Sequence, residues 1–235
     1  MIENFELAKQ VAEEYKIPLA LLCAVIKKES NGHHIYGHDT DGVYSTRGRT
    51  VIVDGVSYGA GANVPVTPRN FAEFERRVLA GEKSNGVGIM QITYAGPVRA
   101  DGTRDGGYLR VAREKGLDLS KELDNIRMGA DIIRGHLQKA GGTPSKDAVV
   151  YVGTKYNGRS TYGEDLWVKY NKWVTQLDSM NDPMADLNNK VAKLGEQIAS
   201  ETSIFKDRLV AIEANVATLK SGLDDLLTKL RSALT

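Results

Sequence analysis

The chain has 235 residues, 41% of them hydrophobic and 26% charged, and a formal net charge of +1. That length accommodates one large domain, or one domain with an appendage. The balanced charge gives no sign of a strong electrostatic partner, so neither nucleic acid nor an anionic membrane is expected to bind it.

The N-terminus, Met1-Ile2-Glu3-Asn4-Phe5, is acidic and lacks the basic start and apolar run of a signal peptide. No apolar segment is long enough to cross a bilayer. The expectation is a protein held in the cytosol until something else releases it. Phe5, Leu7, Ala8, Val11, Ala12 and Tyr15 mark a first helix ending near Lys16. Pro18 suits the first turn of a second helix, whose Leu19, Leu22, Val25 and Ile26 recur at helical spacing and predict a buried face. Cys23, the single cysteine, lies in this run; it excludes an intrachain disulfide and reads as a buried thiol.

Glu29 falls on the last turn of that helix. The negative helix end and apolar surroundings would both disfavour an ionised carboxylate, while Lys27 and Lys28 would oppose the shift if close. A carboxyl there, followed at once by a polar loop rich in Gly and His, is a candidate general acid. The competing reading is a helix-end Glu in solvent.

Residues 31 to 66 are rich in Gly. Asp54-Gly55 between Val51-Ile52-Val53 and Val56-Ser57-Tyr58 predicts a hairpin inside a long insertion. Asp39, Asp41 and Asp54 lie in this insertion. His33, His34 and His38 beside Asp39 fit no zinc spacing, so a loop without metal is expected, and no cofactor. Arg47, Arg49 and Arg69 are candidates to meet anionic groups, with solvent-facing charge as the default.

Thr67-Pro68 reads as a cap and a first-turn proline, opening a helix through Phe71, Phe74, Val78 and Leu79 that stops at Gly81. Gly86-Val87-Gly88-Ile89-Met90-Gln91-Ile92-Thr93 is an apolar loop holding one amide. Residues 95 to 107 read as loop and Tyr108 to Lys115 as a short helix. Asp124 is the expected cap of a longer helix carrying Ile126, Met128, Ile132, Ile133 and Leu137, with Gly141-Gly142 as its stop. Ser145 starts another, reaching Tyr156-Asn157-Gly158. A last globular helix is expected from about Glu164 through Leu166, Trp167, Tyr170, Trp173, Val174 and Leu177.

Asn181-Asp182-Pro183 breaks this pattern and marks the domain boundary, with a globular domain over residues 1–180 and a helical region over 181–235. Beyond it there is neither Trp nor Tyr, and apolar residues recur every three or four positions. Met184, Val191, Ile198 and Phe205 are the a positions of one heptad register, with Leu187 and Leu194 at d. Leu209 begins another, four residues after Phe205 rather than seven, a stutter that locally unwinds a coiled coil. Glu201 and Arg208 occupy seam positions beside it. Such a helix cannot bury its own stripe. It must pair with a copy of itself, fold back near Ser200-Glu201-Thr202-Ser203, or lie on another surface. A homo-oligomer through residues 184 to 235 is the expectation, a dimer favoured.

Glu29-Ser30, then Gly86 to Thr93, then Tyr156-Asn157-Gly158 resemble, in order and placement, the lysozyme-like superfamily. Within it the chain looks like soluble lytic transglycosylases and goose-type lysozymes, and Glu29 to Asp39 is similar to wall-cleaving domains of phage endolysins. The resemblance spans about residues 5 to 178 and leaves out the C-terminal helix. It implies a mainly α, lysozyme-like helical domain with a small β-hairpin insertion, followed here by a long helix or coiled coil. It further implies cleavage of the β-1,4 bond between N-acetylmuramic acid and N-acetylglucosamine in bacterial peptidoglycan, as hydrolysis or lytic transglycosylation. By resemblance Glu29 is the catalytic acid, Ser30 steadies substrate or carboxyl, Gln91 bonds the sugar, Tyr156 stands near the acid, and Asn157 reaches sugar or peptide. Asp39, Asp41 and Asp54 stand in the insertion where goose-type enzymes carry auxiliary acids, with Asp39 and Asp41 the first candidates. The third motif departs from the usual Ala-Tyr-Asn-Ala-Gly: here it reads Lys155-Tyr156-Asn157-Gly158-Arg159, so the match stops after Asn157. A glycan-binding phage structural protein on a stalk, and a chitin-cleaving relative, are the competing functions.

Overall fold

The computed structural model describes residues 2–181 and 183–233, with no side-chain description at 181, 183–186, 189 and 233. Asp182, in the expected boundary, and the Met184 seam side chain lie outside the described residues. The chain forms two compact units, Met1–Leu177 and Asp178–Thr235. The protein is mainly helical, with two small antiparallel strand pairs and a long C-terminal helix.

In the first unit, α1 (Phe5–Tyr15) buries Phe5, Ala8, Val11 and Ala12. It packs on α2 (Leu19–Glu29) and on α5 (Glu122–Lys139), and α5 in turn packs on α6 (Lys146–Asn157). Every residue from Ala20 to Ile26 is buried, so α2 is a central helix wrapped on all sides rather than one with a single buried face. Cys23 is fully buried, and burial pushes its thiol up to about 12.

The insertion after α2 holds the predicted hairpin, β2 (Val51–Val53) against β3 (Val56–Tyr58). Asp54 (φ 52°) and Gly55 (φ 81°) both adopt left-handed conformations, as a two-residue I′ turn demands. A second pair, β1 (Ile35–Tyr36) with β4 (Val64–Pro65), closes the base of the insertion. Two-residue strands carry no legible alternation, which is why the sequence does not announce them.

α3 (Pro68–Leu79) starts with a capping box between Thr67 and Asn70. α4 (Gly107–Glu114) follows the long loop. Asp124 is not the cap of α5. Lys121 holds that position, and Asp124 lies in the first turn, its carboxylate accepting from the Asp118 amide at 3.2 Å. An acid is favourable there too, since its charge meets the positive helix end. α7 (Ser160–Asn181) begins about four residues earlier than Glu164, and its Trp173 ring stacks on Phe5 at 6.0 Å.

In the second unit, α8 (Pro183–Ala233) is one unbroken helix of 51 residues. The fold-back near residues 200–203 does not occur. Ser200, Glu201, Thr202 and Ser203 are helical, and no glycine or proline interrupts the ladder between them. No helix among the described residues is long and apolar enough to cross a membrane.

Candidate active site

Glu29 is the last residue of α2, and the backbone amide of Ser30 caps that end on the Ile26 carbonyl. The central position of α2 brings the carboxyl against protein on most sides while leaving one side open. Glu29 lines a pocket of about 350 Å³ together with Lys28, Asn157, Arg159, Thr161 and Tyr162. Burial is the largest influence on its carboxyl and raises the pKa above the ordinary carboxylate value. The Tyr162 hydroxyl donates to Glu29 Oε1 and opposes the shift, as does the Lys28 charge, whereas the Asp39 charge adds to it. Lys28 is itself held by an ion pair with Asp165 and sits 4.4 Å from the Tyr162 ring centroid. Lys27 does not figure among the charges acting on Glu29.

The loop from Gly86 to Thr93 is anchored from three directions. Val87 and Ile92 exchange both backbone hydrogen bonds at 3.1 Å, forming a tight loop, and the Gly88 amide donates to the Ile35 carbonyl at 2.9 Å. From α5, the fully buried Asn125 accepts from the Met90 amide at 2.8 Å and donates to the Val87 carbonyl at 3.0 Å. From α6, the Tyr156 hydroxyl donates to the Met90 carbonyl at 2.7 Å. Burial drives the Tyr156 phenol well above its usual pKa, so it remains a neutral donor. Ser30 Oγ donates to the Ile89 carbonyl at 2.7 Å and ties the end of α2 to the same loop.

Among the residues singled out in the sequence, Glu29 and Asn157 share the pocket. Ser30 and Tyr156 buttress the adjoining loop instead. Gln91, left-handed at φ 48°, donates its amide nitrogen to the carbonyls of Gly88 (2.8 Å) and Ile35 (3.1 Å). Its oxygen is enclosed by glycines. A Cβ added at Gly37 would approach it to 2.3 Å and one at Gly86 to 2.4 Å, so a side chain at either position would displace the Gln91 amide.

The aspartates separate. Asp39 Oδ2 accepts from the Gly86 amide at 2.6 Å, and its charge is felt at Glu29. Asp41 is exposed, 3.7 Å from Lys83 Nζ, and Asp54 faces Arg69 at 3.2 Å in the hairpin turn. Arg49 is committed to the Ser45 and Gly42 carbonyls. The histidines diverge: His33 meets Glu3, His34 the Ser120 carbonyl, and His38 both Thr46 and Asn63. The described residues contain no cluster of three or more His, Cys, Asp or Glu side chains placed to hold a metal.

Sequence reasoning missed Tyr162 and Asn125. Tyr162 continues the stripe of Leu166, Tyr170, Trp173 and Leu177 one turn upstream, so starting the helix at Ser160 would have included it. Asn125 is a polar residue on the buried face of α5, beside Ile126, and a buried amide needs partners.

No family model, curated protein or solved structure matches this chain. What the arrangement can do chemically is present, at an open polar pocket, a carboxyl whose burial favours the protonated form, with one oxygen fixed by a phenol and the charge of Asp39 acting on it.

Proposed function

We propose that this protein is a phage-type endolysin that cleaves the β-1,4 glycosidic bond between N-acetylmuramic acid and N-acetylglucosamine in bacterial peptidoglycan, with Glu29 as the general acid. The carrying observation is Glu29 itself: a half-buried carboxyl of raised pKa, hydrogen-bonded by Tyr162, at a pocket lined by Asn157, Arg159 and Thr161. The lysozyme-like motif order of Glu29-Ser30, Gly86 to Thr93 and Tyr156-Asn157-Gly158 supports the same reading.

A glycosidic oxygen leaves only when protonated, and the transition state is an oxocarbenium ion. With Tyr162 donating to Oε1, the acid proton of Glu29 belongs on Oε2, and that oxygen donates to the leaving group. In the hydrolytic route Asp39 activates a water, and the amide hydrogen bond from Gly86 fixes one of its oxygens. In the transglycosylation route the muramoyl 6-hydroxyl attacks, and Glu29 takes up its proton as a base. Asn157 and Arg159 meet the sugar or its peptide carboxylates.

Mass spectrometry of muropeptides after digestion of purified cell walls tests the proposal. Ordinary reducing ends identify hydrolysis and 1,6-anhydro ends identify transglycosylation. A folded protein that binds walls and releases no muropeptide refutes cleavage and leaves a glycan-binding module on a helical stalk.

A further inference from the structure

The apolar stripe of α8 has no cover within its own helix. Twelve seam residues between Leu187 and Leu230 are all exposed, from 51% at Leu187 to 73% at Leu219. Fully burying large aliphatic side chains removes roughly 60–120 Å² each, so closing this seam would bury on the order of 1,000 Å² per helix. A stable interface of standard size needs about 800 Å² per partner. The stripe is therefore large enough to hold a partner along its whole length.

We infer that the occupant is a second copy of this chain, its α8 lying parallel and in register, as a two-stranded coiled coil. The stripe is self-complementary, because the same heptads repeat in any copy. In the first register Val191 and Ile198 hold a positions with Leu187 and Leu194 at d, and among parallel coils β-branched a with Leu at d favours two strands. An antiparallel pair would also match a to d layers, but it would bring Arg208 of one copy near Arg208 of the other. The parallel pair sets Arg208, at g, beside Glu213, at e of the following heptad in the other helix, and does so twice by symmetry. Its adverse layers are the two seam positions next to the stutter, Glu201 facing Glu201 and, where the first register still holds, Arg208 facing Arg208. A lipid surface is a poorer occupant. Residues 183–233 carry seven Lys or Arg and seven Asp or Glu, without the basic excess of helices that lie on anionic membranes.

Each dimer then carries two N-terminal units, so one molecule engages a polymeric ligand twice.

The test uses the full-length protein. Light scattering at micromolar concentration should give a dimer; a monomer, trimer or tetramer overturns the inference. Leu219→Cys should form a disulfide with its own counterpart under mild oxidation. Cys23 is fully buried and does not compete. An antiparallel dimer sets residue 219 opposite Ile198 and gives no such bond, which also overturns it. Arg208→Glu should weaken dimerisation by about three- to tenfold, the range of exposed ion pairs counted twice. Adding Glu213→Arg to that variant should restore it. Failure of the double variant to recover, with unchanged helix content by circular dichroism, refutes the parallel register.

Discussion

At the scale of single residues, Glu29 is governed by the balance between burial, which raises its pKa, and the Tyr162 hydroxyl and Lys28 charge, which lower it. Glu29→Gln keeps shape and folding but removes the proton. Wall lysis should fall by roughly 10²–10⁴-fold while the circular dichroism spectrum stays unchanged. The raised pKa also fixes the sign of the pH response. Between the ordinary carboxylate value and the raised one, the folded protein holds a proton that the unfolded chain has released. Stability therefore declines as pH rises through that window, and activity declines as pH passes the raised value. Glu29→Gln should flatten that part of the stability profile. Tyr162→Phe removes a hydrogen bond to the ionised form, so the falling limb of the activity profile should move to higher pH. Asp39→Asn removes a like charge, and the limb should move to lower pH. In the hydrolytic route Asp39→Asn should also cost about 10²-fold in rate. Asp41→Asn, at an exposed position paired only with Lys83, should leave the rate near that of the parent. Equal losses at Asp39 and Asp41 would sink the distinction between them.

At the scale of elements, the loop from Gly86 to Thr93 depends on side chains contributed by three helices. Asn125 is the one whose loss strands buried backbone groups on both sides of the loop, the Met90 amide and the Val87 carbonyl. Asn125→Ala should destabilise the first unit by roughly 2–4 kcal/mol, at about 1–3 kcal/mol per unsatisfied buried group. Urea unfolding measures this, and a shift below 1 kcal/mol would mean that water takes over both partners. Thr67→Ala, which removes the side-chain cap of α3, should cost about 1 kcal/mol.

At the scale of the whole molecule, the two units make different contributions. The pocket residues all lie within Met1–Leu177, and the exposed stripe lies within Asp178–Thr235. A chain ending at Asn181 should fold and cut soluble glycan fragments at the rate of the full-length protein. On intact walls it should lose roughly tenfold or more, because two linked heads rebind before either escapes. Assaying both substrates with both chains separates the effects. An equal loss on soluble fragments would show that α8 supports the pocket rather than residence on the polymer.

The sequence by itself determined the features that arise from short-range chemistry. The Thr67-Pro68 start of α3, the Asp54-Gly55 turn, the Ser145 cap and the Gly158 stop of α6 each follow from one or two residues and their backbone preferences. The heptads of α8 and the terminal position of Glu29 were legible for the same reason, since periodicity is a local property. Tertiary structure decided which groups meet. That Tyr162 reaches Glu29 across 133 residues, that Asp39 turns to Gly86, and that Asn125 clamps Met90 depend on which helices and loops the fold brings together. It also decided that Asp41 stays in solvent although it stands only two residues from Asp39. Spacing along the chain sets which residues are neighbours on one element. Burial and partner choice arise only when elements close on one another, and those two quantities set the charge state on which the proposed chemistry depends.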